Sequence, residues 1–245
     1  LAAAGADSAD SAAAGSAAAA RPAAGKHEGT DMTNLAQTFL TKDEQDALVA
    51  CVKDVEARTS GEIVPVIASA SYEYPRASHV GGLLLAILAA LGVATFIGHT
   101  DMWAFLGLFL LFYLVFSRVV AAVPAMKKPF VTKAEMREEV EEAAITSFYL
   151  NGLHRTRDLT GIIIYVSVFE RSVQVLADKG INDKVNPEVW EEVVIMITEG
   201  IRQGRPGEAL CRGVTRCGEL IAEHFPIKAD DTDELPNLII EGEAR

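Results

Sequence analysis

Residues 160–180, TGIIIYVSVFERSVQVLADKG, decide the fold of this chain. Two runs rich in β-branched residues, 162–169 and 172–177, are separated only by Glu170 and Arg171, the spacing of an antiparallel hairpin. The first run is apolar at nearly every position, so it is expected to be buried on both faces in the middle of a sheet. The second alternates, with Val173, Val175 and Ala177 on one side and Gln174, Leu176 and Asp178 on the other.

Outward from this hairpin, helical and extended patterns alternate. Thr41 and Glu44 form a capping-box signature ahead of Leu48, Cys51, Val52 and Val55, which predicts a helix with one buried face. Residues 62–68, EIVPVIA, read as a strand, and Pro65 places it at an edge or a bulge because proline has no ladder donor. Thr132 and Glu135 repeat the capping pattern before Met136, Val140, Ala143, Ala144 and Phe148. Beyond the hairpin, Trp190, Val193, Val194 and Ile197 mark one more helix, and Leu210, Val214, Cys217, Ile221 and Phe225 another. The order predicts an α/β fold, a small mixed β-sheet flanked by helices. In it the runs 62–68 and 162–169 pair in parallel through a right-handed crossover.

That crossover contains the unusual part of the chain. Hydrophobic residues make up 50% of the sequence, and the excess is concentrated in residues 80–98, which carry no charge, and 103–123. Each run is long enough to span a bilayer as a helix of about 20 residues. We therefore expect an inserted transmembrane α-helical hairpin, with Arg118 near a helix end where it can reach the headgroups. The turn between the runs holds no Lys or Arg, whereas Arg76, Lys127, Lys128 and Lys133 flank the pair. By the positive-inside rule this predicts a multi-pass protein of the inner membrane with its soluble domain in the cytoplasm. Cys51, Cys211 and Cys217 show no disulfide framework or zinc spacing and are read as unpaired, which suits a reducing compartment.

The expected organisation is a disordered Ala-rich segment (1–31), the first part of a domain (32–79), the membrane hairpin (80–123), the second part (124–228) and an acidic tail (229–245). Met32 is the expected native start. The formal net charge of −12 argues against nucleic acid as a partner.

The strand SGEIVPVI (60–67), the block 160–181, Trp190, His224 to Pro226 and DELP (233–236) together resemble the TPM-domain family. The resemblance covers nearly all of the soluble chain and is to the bacterial branch in which a two-helix membrane hairpin interrupts the domain. It implies a small α/β sandwich. Some members, notably in thylakoids, are credited with acid phosphatase activity and others act as accessory proteins of membrane complexes.

Few residues point to chemistry. Asp178 and Asp183 flank a turn with Gly180 and Asn182 that could hold calcium or magnesium, although such residues more often serve the turn itself. Glu170 and Arg171, at the hairpin tip, are candidates to contact a ligand or partner, with a solvated turn as the simpler reading. Glu62 is a further candidate at the sheet edge. His154, Arg155 and Arg157 could hold a phosphate, but a solvated loop is the favoured reading. There is no P-loop, no G-x-S-x-G elbow and no C-x5-R spacing.

The expected function is a membrane-anchored interaction or accessory module for assembly or quality control of a membrane complex. Its partners are the lipid bilayer and membrane proteins, and its apolar DELPNLII tail docks on a partner or on the domain itself. The alternative is a metal-assisted acid phosphatase using Asp178 and Asp183 with Arg171 or Glu62 nearby. Gly81, Gly82, Gly92, Gly98 and Gly107 offer small faces for a homo-oligomer.

Overall fold

A computed structural model describes residues 2–6, 35–98, 101–227 and 235–241. The expected start at Met32, most of the Ala-rich segment and most of the acidic tail lie outside the described residues. The described residues divide into two compact units, one built from residues 2–6, 35–72, 133–227 and 235–241 and the other from 73–98 and 101–132.

The first unit is a sheet between helices. Its strands are β1 (Ala2–Ala6), β2 (Glu62–Ala68), β3 (Gly161–Ser167), β4 (Ser172–Ala177) and β5 (Ile239–Glu241), in the order β1-β4-β3-β2-β5. β3 is parallel to β2 and antiparallel to β4, as the sequence predicts. β2 and β3 are buried along their whole length. β5 pairs in parallel with β2 only over Val66–Ala68, so Pro65 faces β3 alone and its missing donor leaves no gap in the β5 ladder. The apolar tail thus docks on its own domain. Within the segment expected to be disordered, Ala2–Ala6 pairs antiparallel with β4; strand pairing uses backbone groups that even an Ala-Gly run possesses.

The helices are α1 (Leu35–Phe39), α2 (Lys42–Glu56), α6 (Lys133–Leu150), α7 (Lys179–Asn182), α8 (Val189–Arg202) and α9 (Pro206–Ala222), with α3 to α5 in the other unit. The Thr41–Glu44 capping box is present at the start of α2. Strand alternation sorts the core into two layers. Ile63, Ile67, Ile162, Ile164, Val173 and Val175 pack with Leu48 and Val52 of α2, Trp190 and Val193 of α8, and Leu210 and Ile221 of α9. On the other face Val64, Val66, Ile163, Tyr165 and Leu176 pack with Val140, Ala144 and Phe148 of α6.

The structure corrects the reading of the cysteines as unpaired. Cys51 of α2 and Cys211 of α9 form a disulfide with their Cα atoms 5.8 Å apart. They stand 160 residues apart in the chain and meet only because α2 and α9 pack side by side. Cys217 is free and buried, and burial pushes its thiol up to about 12.

The second unit is the helical hairpin, α3 (Pro75–Ile97) and α4 (Met102–Ala122), followed by α5 (Pro124–Lys127). Both long helices have the length and composition to cross a membrane. A Cβ on Gly82 would lie 2.7 Å from the Ser117 backbone, and one on Gly81 2.9 Å from the Phe130 ring. These two glycines therefore serve the approach of the hairpin to itself. Gly92 and Gly107 have open space around them.

Candidate functional site

The carboxyl ends of β2 and β3 and the end of β5 form one rim of the sheet. Ligand crevices of α/β sheets lie outside such carboxyl ends. Here the chain leaving β2, Ala70 to Tyr72, runs beneath α6 and closes a pocket of about 280 Å³. Helical spacing puts Glu139, Glu142, Ala143 and Leu150 of α6 on its wall, opposite Tyr165 and Glu241. No Lys, Arg or His lines it among the described residues.

Negative charge accumulates around this pocket. Burial first, then the nearby Glu142, Glu135, Glu138 and Glu170, hold the Glu139 carboxyl above the usual carboxylate range. Burial raises the Tyr165 phenol well beyond its ordinary value, Glu241 and Glu170 push the same way, and the neighbouring Ser71 hydroxyl pulls it down. Because folded Glu139 keeps its proton to higher pH than the unfolded chain does, its ionised form opposes folding at neutral pH. That opposition fades as pH falls through the raised value. Glu139→Gln is therefore expected to raise the melting temperature at neutral pH and to leave it unchanged near about pH 3.5, where the carboxyl is protonated in both states.

Glu170 corrects the picture of a solvated hairpin tip. The connection is a four-residue loop, 168–171, and not a two-residue turn. It folds back along the end of β2, where the Val168 and Phe169 N–H groups donate to the Ala68 and Ser69 carbonyls. Glu170 is thereby only 8% exposed, and its carboxylate accepts from the Ser71 N–H at 3.1 Å and from the Ser167 hydroxyl. Arg171 stays exposed, with φ at 55°. Glu170→Ala strips the Ser71 N–H of its acceptor and is expected to cost about 2–3 kcal/mol in urea unfolding, with Glu170→Gln losing less because it retains an acceptor.

The remaining candidates lie at the opposite end of the sheet. Glu62 opens β2 beside Gly161, and the Asp178 N–H donates to the Gly161 carbonyl at 2.9 Å. Both carboxylates are buried, two strand spacings or roughly 10 Å apart. Glu170 and Arg171 stand roughly 20 Å away, at the far end of β3. The expected grouping of Arg171 with Asp178 and Asp183 is therefore corrected, since an antiparallel hairpin puts its turn and its outer ends on opposite edges.

Asp178 caps α7, its Oδ1 accepting from the Lys179 N–H at 2.7 Å, while its Oδ2 is buried without a hydrogen-bond partner. Asp183 is exposed at the other end of that single turn, roughly 7–8 Å along the axis. Among the described residues no group of three or more His, Cys, Asp or Glu could hold a metal ion. The basic run makes local contacts, Arg155 with His154 and Arg157 with Asp158.

The molecule is thus an α/β sandwich interrupted by a helical hairpin, with an acidic pocket at the carboxyl rim of its sheet. Residues 120–220 match the family model described as the TPM domain. The NMR structure of the BA42 protein from the psychrophilic bacterium Bizionia argentinensis has a similar fold, with a TM-score of 0.50 and 24% identity. The likeness covers 83% of this chain and 95% of that one. No curated protein matches the chain.

Sequence reasoning missed Ser71, Glu139, Glu142, Tyr165 and Glu241. A signal existed for one pair: Glu139 and Glu142 lie three apart beside the buried stripe of α6, where carboxylates edge onto the core. Nothing in the sequence aligned them with Glu241, which reaches the rim only through β5.

Proposed function

We propose that this chain is a membrane-anchored TPM-domain module that docks on membrane-protein partners and assists the assembly or quality control of their complex. The observation that carries this reading is the insertion of α3 and α4 between the neighbouring parallel strands β2 and β3. Leu88, Phe96, Leu110, Leu111 and Leu114 on these helices are exposed, as lipid-facing residues are. An anchor placed there ties the sheet itself to the bilayer.

The basic residues flanking the hairpin support a cytoplasmic domain, at the inner membrane, whereas the Cys51–Cys211 bridge weighs toward an oxidising side. A cysteine placed at Thr100 and probed in intact cells with a membrane-impermeant maleimide decides this. Labelling puts the turn outside and the domain in the cytoplasm, and protection puts them the other way round. The metal-assisted phosphatase alternative gains no specific observation, because Arg171 stands at the sheet end opposite Asp178 and Asp183.

The reading is tested by crosslinking in intact membranes followed by purification in mild detergent. Membrane proteins should be recovered at constant stoichiometry, while recovery of the chain alone, with and without crosslinking, would overturn it. The chain itself should stay with the membrane through an alkaline carbonate wash.

A further inference from the structure

We propose that the pocket between α6 and the carboxyl rim of the sheet binds an alkylammonium or guanidinium group, as carried by a lysine or arginine of a partner. The proposal rests on the interaction-module reading above and names the chemistry that its site recognises.

Four features of the pocket carry it. The first is charge. Glu139, Glu142 and Glu241 line the cavity, and Glu170 lies close enough to add to the field at Glu139. Neither Glu139 nor Glu142 has a cationic partner among the described residues. The second is a pair of hydroxyls: Ser71, in the wall, is only 7% exposed and sits beside the Tyr165 phenol, and hydroxyl oxygens keep acceptor lone pairs that the N–H donors of a cation can use.

The third feature is spread. The carboxylates stand around a cavity of about 280 Å³ and do not converge as metal ligands, so the space suits a larger cation with several separated donors. Guanidinium presents five such donors and ammonium three. The fourth is the apolar part of the wall. Tyr72, Ala143, Leu150 and Tyr165 offer contact to the methylene stem of a long basic side chain.

The test uses the full chain in detergent micelles, with binding read from backbone amide shifts. The probes are a hexapeptide with one central arginine, the same peptide with citrulline in its place, ethylguanidinium, and calcium and magnesium chlorides. The arginine peptide and ethylguanidinium should both shift Tyr165, Ala143 and Glu241 saturably, and the citrulline peptide should not. Glu139→Gln with Glu142→Gln should weaken binding by at least about tenfold, since each removes one charge-assisted contact. Glu142 is exposed and Glu139 half-buried, and the unliganded amide spectrum reports that the variant is folded; Glu142→Gln alone is the fallback.

No saturable shift with either organic cation, an equal response to citrulline, or tighter binding of calcium or magnesium would overturn the proposal. Binding of ethylguanidinium but not of the peptide would keep the cation site and overturn the partner side chain as its source. Loss of both probes together with persistent crosslinked partners would overturn the pocket while leaving the interaction-module reading standing.

Discussion

Trp190→Ala is expected to remove about 3–5 kcal/mol of stability from the α/β unit. The indole is fully buried in the layer formed by α2, α8, α9 and one face of the sheet. Its Nε1 donates to Asn182 Oδ1 at 3.3 Å, and the Asn182 side-chain amide donates to the Ala177 carbonyl at 2.6 Å. One ring therefore links α8 to α7 and to the end of β4, and truncation leaves both a cavity and an unpaired amide oxygen. Against a typical total of about 5–15 kcal/mol, that is a large fraction. Trp190→Phe should lose less, since it keeps much of the apolar area. Urea unfolding in micelles, followed at the amides of β3 and β4 so that α3 and α4 do not mask the transition, checks both. An unchanged midpoint would contradict the packing described.

Replacing Cys51 and Cys211 together by alanine is expected to lower stability by about 2–4 kcal/mol. The bridge closes a loop of 160 residues, and a cross-link over so long a span restricts the unfolded chain strongly. Dithiothreitol should destabilise the wild-type protein to a similar extent and leave the double variant unaffected. The thiol count gives an independent check. Under denaturing, non-reducing conditions alkylation should find a single thiol, Cys217, and after reduction all three cysteines. In the native protein Cys217 should resist alkylation, because burial keeps it as the thiol and shields it. Three reactive thiols in the unreduced denatured chain would refute the bridge.

The bridge shows where sequence reading ran out. Cys51 and Cys211 each occupy helical positions whose neighbours are apolar, and nothing local distinguishes a cysteine that packs from one that pairs. Only the docking of α2 on α9 brings them together. The pocket has the same origin. Its residues come from the exit of β2, from α6, from β3 and from β5, segments that span residues 70–241. Glu170 is the nearest miss: its place at the hairpin tip was legible, but its burial depended on a loop two residues longer than the shortest turn.

Other elements were legible because their signals are local and periodic. The continuous apolar run of β3 marked a strand covered on both faces, and the alternation of β4 assigned Val173 and Val175 to one layer and Leu176 to the other. The order of strand, apolar helices, helix and strand constrained β2 and β3 to a parallel pair, because a chain that crosses over a helical segment re-enters the sheet in the same direction. The sequence by itself thus determined strands β2, β3 and β4, their pairing and the helical hairpin, which follow from side-chain period, run length and the order of the elements. The tertiary structure alone decided which distant residues meet: the Cys51–Cys211 bridge, the burial of Glu170, the separation of Arg171 from Asp178 and the acidic pocket. Such meetings depend on how helices and strands pack, and packing is a property of the assembled layers that no single stretch of chain contains.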